Sequence, residues 1–555
     1  MTSYLSQHTR ERGVTPQNEK ADERQTPNSA GGFSFNVTPT DMLRRFLILG
    51  SEGGSYYASE KDLTFKNVTN LAACVKADGP AVVAEIVAIS ESGRAPKNDP
   101  ALFALAYAFA HGDVPTKHAA RAALPKVART GTHLFQFVDF STSMRGWGRG
   151  LQGAVNDWYN GKEQDALAYQ VVKYRQRGKW THRDVMRLSK VSRWGTGENN
   201  PLIDWVVDRS DEDYKPSGEL PRVVQGFIAA QESTSAKQTA ALIREYNLPR
   251  EALLTEHLND PVVWEAMLDG GMPVIAMVRN LATMTRLGLL DNTSAATKTV
   301  VDRLSDKDAV LKSRIHPFNV FVGMQTYESG RGMRGQHTWT PTRKIVDALN
   351  DLYYTSYGNV TPTGKRLMLA LDVSGSMTCQ IMGGATTARD ASAAMALVTA
   401  NVEDSYEIVG FYAGGGSDAW KSPGRSRRSW NGGDGLTPLA ISPRQRLTDA
   451  IRTVSGLPFG GTDCSLPMLY ALDRKMEIDT FVIYTDSETW AGDIHPHEAL
   501  KKYRDTMGID AKLVVVGMVG NPFTIADPTD PGMLDVVGLD TATPNLISAF
   551  ASGDF

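Results

Sequence analysis

The sequence predicts an α + α/β protein in which an array of short helices precedes a doubly wound parallel-sheet domain. From about residue 39 to 355, apolar residues recur at intervals of three and four and Pro, Gly, Asn and Asp interrupt them often, which is typical of short amphipathic helices. After about residue 361, apolar runs alternate with helical stretches, which indicates parallel strands covered on both faces. The chain has 555 residues, too many for one hydrophobic core, so two or more domains are expected.

The composition is that of an ordinary globular protein, with 41% hydrophobic and 22% charged residues. No stretch approaches the roughly 18 apolar residues that a membrane span requires, and residues 1–25 lack the apolar core of a secretory signal. The cysteines Cys74, Cys379 and Cys464 lie far apart without a C-x-x-C motif, which disfavours a disulfide framework or a structural zinc site. We therefore expect a cytoplasmic protein with no membrane segment.

The two predicted parts differ in charge. Residues 361–555 sum to −7, so with a total of −3 the first 360 residues carry −3 − (−7) = +4. A mildly basic first part would favour an anionic polymer as its partner.

Residues 1–30 are polar with scattered charges, so we expect a disordered tail. Residues 31–360 are expected to form stacked helix pairs. Because no sharp period is visible, a degenerate HEAT-like array is favoured over tetratricopeptide or ankyrin repeats. The predicted helices include 80–93, 100–111, 117–128, 164–176, 221–231, 236–246, 261–269 and 273–284.

Residues 361–555 are expected to form the parallel-sheet domain. The predicted strands are 367–372, 406–412, 480–484 and 512–518, and the predicted helices are 388–403, 444–454, 466–476 and 496–507. Residues 414–437 interrupt this alternation with a Gly-, Ser- and Arg-rich stretch, which we expect to form a long, mobile surface loop.

Hard oxygen ligands follow three of the predicted elements. Asp372, Ser374 and Ser376 form a D-x-S-x-S turn after the first strand, Thr462 lies in a glycine loop before a helix, and Asp486 ends a later strand. Ligands of parallel sheets bind beyond the carboxyl ends of the strands, and such oxygens suit Mg²⁺, Ca²⁺ or Mn²⁺. The alternative is that these residues are only helix N-caps. The set resembles the metal-ion-dependent adhesion site (MIDAS) of von Willebrand factor A domains.

That resemblance implies that the five residues hold a divalent cation, in our interpretation Mg²⁺, with Asp486 acting directly or through water. It also implies an open coordination position, which an acidic group of a partner can fill. His495 and His497 follow the strand that ends at Asp486, and we assign them a structural role. No nucleophile with a neighbouring base is visible, so no catalytic residue is predicted.

A basic segment lies within the helical part. On a helix begun near Thr181, Arg183, Arg187 and Lys190 share one face, and like charges placed this way repel unless a polyanion binds them. Tyr174 and Trp180 are expected either to stack on bases or to belong to the core. The alternative is a merely solvated face. The candidate residues for binding a polyanion are Lys173, Arg177, Arg183, Arg187, Lys190, Arg145 and Arg149.

Taken together, these features resemble the 60 kDa Ro autoantigen family, whose members combine a TROVE module with a von Willebrand factor A domain. The resemblance covers residues 42 to 550. Its phrases include Gly50-Ser-Glu-Gly-Gly-Ser-Tyr-Tyr57, Trp147-Gly-Arg149, Asp157-Trp-Tyr-Asn160, Lys173-Tyr-Arg-Gln-Arg177, Arg314-Ile-His-Pro-Phe318, Gly460-Gly-Thr-Asp-Cys-Ser-Leu-Pro467 and Phe523-Thr-Ile-Ala-Asp-Pro528.

The resemblance implies a monomeric HEAT-like ring whose ends the A domain joins. Y RNA would bind the outer basic face, and 3′ ends of misfolded RNA would enter the central hole. An exoribonuclease of the polynucleotide phosphorylase type, tethered through the RNA, would make the protein part of RNA quality control, rRNA maturation and decay.

Two departures from the family pattern are visible. Lys190 stands where vertebrate members have histidine, which keeps the charge but loses imidazole stacking. The Arg-rich 414–437 stretch is longer than in vertebrate members, and one hypothesis is that it extends the RNA surface.

Two other functions compete with RNA binding. One is a protein-interaction adaptor that uses the A-domain metal. The other, less favoured, is a metal-dependent phosphoesterase, which would need a second metal and a general base.

Overall fold

The computed structural model describes residues 14–52, 54–191, 200–208, 218–332, 336–381, 386–413, 435–442, 445–457 and 460–554. The chain divides into two compact units. The sheet unit comprises Met1–Asn70 and Tyr357–Phe555, and the helical unit comprises Leu71–Ser356. Among the described residues, no helix has both the length and the apolar character needed to cross a bilayer.

The helical unit is built from short helices with short connections, as the periodicity predicts. Some helices pack on their neighbour in sequence, such as Ala236–Tyr246 on Pro261–Asp269, and others on a helix further along the chain, such as Asp99–His111 on Gly131–Arg145. Large aromatic residues such as Trp158 and Trp264 are fully buried. Its described helices are α2 (Glu60–Ser92, which begins in the sheet unit), α3 (Asp99–His111), α4 (Val114–Val127), α5 (Gly131–Arg145), α6 (Arg149–Asn160), α7 (Gln164–Lys173), α8 (His182–Ser189), α9 (Pro201–Asp208), α10 (Arg222–Gln231), α11 (Ala236–Tyr246), α12 (Pro261–Asp269), α13 (Val274–Arg286), α14 (Ala295–Ser305), α15 (Lys307–Ser313), α16 (Pro317–Glu328) and α17 (Arg343–Thr355).

Helix α2 is interrupted at Asp78, whose φ of −154° and ψ of 84° are not helical. The Asp78 carboxylate accepts a hydrogen bond from the Ala81 amide at 3.0 Å and so caps the second half of α2. Pro80 lies in the first turn of that half, where its missing N–H costs nothing. The predicted helix 80–93 corresponds to this second half.

The helical array closes on itself, because residues near its two ends are hydrogen-bonded. His316, the N-cap of α16, lies 2.8 Å through Nε2 from the carbonyl oxygen of Arg94, and its Nδ1 accepts from the Phe318 amide at 3.1 Å. The Arg314 guanidinium donates to the Glu91 carbonyl at 3.4 Å. Burial lowers the pKa of His316 to about 4. At neutral pH the imidazole is therefore uncharged, and it links the two ends of the helical array. A closed HEAT-like array is therefore confirmed.

The sheet unit contains a six-stranded, mostly parallel sheet in the order β11-β9-β8-β5-β6-β7, in which only the edge strand β7 is antiparallel. The predicted strands are confirmed, whereas the short β7 and the strand β11 were not predicted. The strands are β5 (Leu367–Asp372), β6 (Tyr406–Phe411), β7 (Leu436–Pro438), β8 (Thr480–Thr485), β9 (Lys512–Gly517) and β11 (Met533–Val537). The helices beside them are α18 (Ala388–Ala400), α19 (Leu447–Ser455), α20 (Leu466–Asp473), α21 (Pro496–Met507) and α22 (Thr543–Ser552).

The N-terminal segment differs from the predicted disordered tail. β1 (Gln25–Pro27) and β2 (Phe33–Asn36) form a small antiparallel sheet with β10 (Phe523–Thr524). Gln17 is fully buried, and its amide hydrogen-bonds to Asp463, at 2.9 Å, and to the Ile494 carbonyl, at 2.8 Å. The predicted tail is thus wrong for residues 14–30, while residues 1–13 lie outside the described part.

Helix α1 (Pro39–Leu49) also belongs to the sheet unit, although the sequence placed residues 31–360 in one helical domain. Its Arg45 is 1% exposed and makes two hydrogen bonds of 2.7 and 2.8 Å to the Asp535 carboxylate on β11. A further bond of 2.7 Å runs to the Asn521 carbonyl. These contacts join partners more than 470 residues apart, which local sequence patterns do not reveal.

Candidate metal centre and nucleic-acid interface

The first loop of the candidate metal centre follows β5. Asp372 is the last residue of the strand, and the Ser374 amide donates to its Oδ1 at 2.9 Å. A short 3₁₀ turn, Gly375–Thr378, then brings Ser376 back, so that the Oγ atoms of Ser374 and Ser376 are 3.1 Å apart. All three side chains are at most 3% exposed.

The three predicted loops converge at the carboxyl edge of the sheet. The hydrogen bonds that join them are Thr485 Oγ1 to Asp372 Oδ2 at 2.6 Å, Gly375 N to Gly460 O at 3.2 Å, and Trp490 N to Thr462 O at 3.1 Å. The Ser376 hydroxyl also lies close enough to Asp486 to lower the pKa of that carboxyl. The structure therefore brings Asp372, Ser374, Ser376, Thr462 and Asp486 to one place.

The electrostatics of the candidate metal centre favour a bound cation. Burial raises the pKa of Asp372, and burial together with the nearby Asp372 carboxylate raises the pKa of Asp486 to about 8. Two buried carboxylates this close disfavour each other's charged form, and a divalent ion would reverse that effect. Ser487 adds a hydroxyl that is buried without a hydrogen-bond partner in the described part, on a backbone held at φ +62°. The donor set thus fits a hard divalent cation.

Hydroxyls are an essential part of this donor set. Within the described residues, no three His, Cys, Asp or Glu side chains are grouped so as to hold a metal. The D-x-S-x-S turn is accordingly the informative signal, because it supplies hydroxyl oxygens next to one carboxylate.

Two side chains at this site were missed from the sequence. Arg389 on α18 is 5% exposed and donates from Nη2 to the carbonyls of Val373 and Ser374, at 2.6 and 3.3 Å, which holds the D-x-S-x-S turn. Burial, followed by the charges of Asp486 and Glu488, raises the pKa of the Tyr57 phenol, and the nearby Ser376 hydroxyl acts in the opposite direction. Neither residue lies near the turn in sequence.

In the helical unit, the basic segment begins at the end of α7 and continues through a two-residue hairpin. The strands β3 (Gln176–Arg177) and β4 (Trp180–Thr181) are joined by a turn in which Gly178 has φ +56°. This hairpin was not predicted. Arg177 is exposed on it, whereas Lys173 is half-buried, with its Nζ 3.3 Å from the Tyr169 hydroxyl.

Helix α8 starts where the sequence predicts. Thr181 is its N-cap, and Asp184 completes a capping box. The prediction that Arg183, Arg187 and Lys190 share one helical face is wrong for Lys190. Helix α8 ends at Ser189, and Lys190 caps it in the left-handed conformation with φ +56°.

The other two cations have partners in the fold. Arg183 donates from Nε to the Val207 carbonyl at 2.9 Å, and Arg187 lies 3.8 Å from the Asp208 carboxylate. Repulsion along the helix is therefore relieved without a polyanion. Arg177 and Lys190 remain exposed, with no acidic partner in the part of the chain that the structure describes.

Arg145 and Arg149 flank the connection between α5 and α6. Both are exposed, and within the described part of the chain the one hydrogen bond of the Arg145 side chain is long, 3.3 Å to the Ala110 carbonyl. These two cations thus face solvent on the same unit as the basic hairpin. Of the stretch 414–437 that was predicted to be a mobile loop, residues 414–434 lie outside the described residues. The prediction is wrong at its end, because Leu436 and Thr437 belong to the edge strand β7, which pairs with β6.

Comparison with known proteins identifies the family to which these two units belong. The family model of the TROVE domain matches residues 26–214 and 244–326, and that of the Ro60 vWA domain matches residues 366–551. The RNA-binding protein RO60 of Deinococcus radiodurans is 38% identical over 545 residues, with 97% of each chain covered. This chain belongs to the Ro60 family.

Two further comparisons agree with that assignment. The RNA-binding protein RO60 of Caenorhabditis elegans is 34% identical over 614 residues, covering 97% of this chain and 92% of the relative. The crystal structure of the Deinococcus radiodurans RO (RSR) protein has a TM-score of 0.68 at 36% identity, covering 93% of this chain and all of that one. The family resemblance inferred from sequence phrases is confirmed.

The structure gives two of those Ro60 phrases a physical role. His316, within Arg314-Ile-His-Pro-Phe318, closes the helical array through the Arg94 carbonyl. Tyr57, at the end of the phrase that starts at Gly50, lies near Ser376 of the D-x-S-x-S turn.

Proposed function

We propose that this chain is an RNA-binding protein whose helical unit holds a structured noncoding RNA of the Y RNA class on its exposed cations. The observation that carries the proposal is the set of exposed, unneutralised side chains on one unit, Arg177 and Lys190 above all. Cations placed this way bind phosphate by releasing counterions. Both relatives in the comparison are named as RNA-binding proteins.

The proposal ranks the predicted RNA-binding residues. Arg177, Lys190, Arg145 and Arg149 contact RNA phosphates directly. Arg187 joins them by exchanging Asp208 for a phosphate, since an exposed ion pair at 3.8 Å is weak. Arg183 and Lys173 act mainly by holding the basic segment in place, because each is engaged with a neighbouring oxygen.

The closed helical array supports a second element of the proposal, that single-stranded 3′ ends of misfolded RNA enter the ring. The protein itself would be non-catalytic and monomeric, and the RNA would tether an exoribonuclease of the polynucleotide phosphorylase type. This would make the protein a cytoplasmic component of RNA quality control, rRNA maturation and decay.

In this proposal the sheet unit holds a divalent cation, in our assignment Mg²⁺. Asp372, Ser374, Ser376 and Thr462 would ligate it, and Asp486 would act directly or through water. When bound, the ion would neutralise the two carboxylates and offer a position to an acidic group. The convergence of these loops also favours a second function, in which this site captures a carboxylate of a partner protein.

The experiment that tests the proposal isolates the protein from its own cell and sequences the RNA that accompanies it. We expect a raised 260/280 nm absorbance ratio and enrichment of a few small structured RNAs. The variant Arg177→Ala/Lys190→Ala should lose them. Arg244→Ala/Lys298→Ala removes two exposed cations that are paired with Asp269 and Asp302, and should retain them. Purification free of RNA, or identical RNA in all three proteins, contradicts the proposal.

Tethering has its own test. An exoribonuclease that co-purifies with the protein should be released by ribonuclease treatment. If it stays bound after the RNA is digested, the two proteins contact each other directly and the tether is wrong.

A further inference from the structure

A cavity of about 360 Å³ opens on the helical unit beside the basic hairpin. We call it the tryptophan pocket. It lies at the small end of the range of ligand cavities, about 300 to 1,000 Å³, and so suits one planar ring system. Its lining residues are Thr142, Ser143, Trp147, Lys179, Trp180 and Leu188.

Two indole rings that are not buried in the core form the walls of the pocket. The ring centroids of Trp147 and Trp180 are 5.9 Å apart, with 32° between the ring planes. Both side chains remain partly exposed, whereas Trp158 and Trp264 are at most 1% exposed. Leu188 is 43% exposed beside them. Apolar and aromatic surface of this kind is normally covered by a partner.

One of the two indoles is fixed in position. Asp139 accepts a hydrogen bond of 3.0 Å from Trp180 Nε1 and forms an ion pair of 3.0 Å with Lys179. The Lys179 ammonium in turn lies 5.6 Å from the Trp180 ring centroid. Because the Trp180 ring is already oriented, the protein loses little conformational entropy when a flat ligand stacks on it.

The other indole carries an unused donor. Trp147 Nε1 is buried and has no hydrogen-bond partner among the described residues. Buried donors are nearly always satisfied by protein, water or ligand. A ligand with carbonyl or ring-nitrogen acceptors on the edge of a flat ring would satisfy it.

The charge around the pocket selects among flat ligands. Lys179 is balanced by Asp139, but the register of the hairpin places Arg177 directly opposite Trp180. Arg145 and Arg149 are exposed two residues to either side of Trp147. Aromatic cages for quaternary ammonium ions need the opposite charge. An aromatic floor with a cationic rim is what a base and its phosphates require.

We propose that Trp147 and Trp180 form a stacking site for one unpaired nucleobase of the bound RNA, with Arg145, Arg149 and Arg177 contacting the adjoining phosphates. This inference rests on the proposed RNA-binding function and deepens it, because it adds a site for a base to a surface otherwise argued to hold phosphates. It predicts that an RNA with an accessible unpaired nucleotide binds more tightly than a continuous duplex.

The experiment perturbs the RNA and the protein in turn. A 12-nucleotide single strand of mixed sequence is prepared intact and with one abasic nucleotide at each position. For the wild-type protein, removing the base at one position should weaken binding about 5- to 150-fold, the range expected for loss of one base–aromatic stack. Trp147→Ala/Trp180→Ala should bind the intact strand as weakly as the wild type binds that abasic strand. This double variant should show no further loss when the base is removed.

The matched control is Trp339→Ala, which removes a partly exposed indole that is stacked on Tyr327 and does not line the tryptophan pocket. It should behave as wild type. Crosslinking of the wild type with 4-thiouridine strands, mapped by mass spectrometry, adds a readout that needs no variant and should mark Trp147, Trp180 or Leu188.

The outcomes separate the two levels of inference. If the wild type binds RNA but no abasic position matters, the stacking site is wrong and the RNA-binding proposal stands. If the double variant binds the intact and the abasic strands more weakly than the wild type does by the same factor, the tryptophans act in folding, and the stacking site is wrong. Failure of the wild type to bind any RNA overturns both. If the tryptophan variants bind RNA normally but lose a co-purifying protein, the pocket is a protein-docking site instead.

Discussion

The closure of the helical array at His316 should make its stability depend on pH. The imidazole of His316 is buried, donates from Nε2 to the Arg94 carbonyl and accepts through Nδ1 from the Phe318 amide. Because Nδ1 must accept a hydrogen bond, only the neutral imidazole fits. Its pKa falls from the ordinary 6.5 to about 4. A group with a lowered folded-state pKa contributes stability above pH 6.5, and that contribution is lost as the pH falls towards 4.

The magnitude follows from the two pKa values. At pH 5 the unfolded imidazole is almost fully protonated and the folded one is not, so closure is weakened by about 2 kcal/mol relative to pH 7. His316→Asn removes this titration. The variant also loses the bond to Arg94, which should cost about 1–3 kcal/mol at pH 7. Wild type and variant should therefore converge in stability as the pH falls from 7 to 5.

Hydrogen–deuterium exchange of peptides that cover residues 91–96 and 314–319 measures this local opening. Exchange is followed at pH 7, 6 and 5 and corrected for the intrinsic effect of pH on exchange. His133 and His497 have pKa values lowered in the same way, so the difference between wild type and variant isolates His316. His118→Asn, at an exposed position, is the control. An equal loss of protection in wild type and His316→Asn between pH 7 and 5 would refute the reasoning.

Three further predictions concern the sheet unit. Arg45→Ala leaves the Asp535 carboxylate partly buried without its partner and should destabilise the unit by about 3–5 kcal/mol, measured by urea unfolding. The control Arg24→Ala removes exposed ion pairs and should lower the urea midpoint far less. Gln17→Ala should cost about 1–3 kcal/mol and speed exchange in β1 and β2, because the N-terminal segment loses its buried amide contacts; unchanged exchange would show that Gln17 does not anchor it. Mg²⁺ should raise the melting temperature of the wild type but not of Asp372→Asn; an equal rise in both would place the ion elsewhere.

The sequence predicts the elements of this protein well where the signal is local. Runs such as Leu367–Asp372 and Thr480–Thr485 are apolar and bounded by loop residues, and both are buried parallel strands. The strand ends also locate the candidate metal centre, because Asp372 ends the first run and Asp486 directly follows the second.

What the sequence does not reveal depends on contacts between distant residues. Gln17 is a polar residue in a polar segment, and its buried hydrogen bonds to Asp463 and Ile494 help to order that segment. In the sequence, Lys190 continues the helical spacing, but in the fold the chain adopts the left-handed conformation at this residue. The sequence shows no partner for Arg183, whereas in the fold its guanidinium donates to the Val207 carbonyl.

The central claim is that exposed cations of the helical unit bind RNA phosphates, and the salt dependence of RNA affinity tests it most directly. The logarithm of the dissociation constant for the co-purified RNA is measured against the logarithm of KCl concentration. Arg177→Ala/Lys190→Ala should bind more weakly, with a slope smaller by about 1.4–1.8, the value for two lost phosphate contacts. Arg244→Ala/Lys298→Ala should match the wild type. Identical slopes for all three proteins would contradict the account.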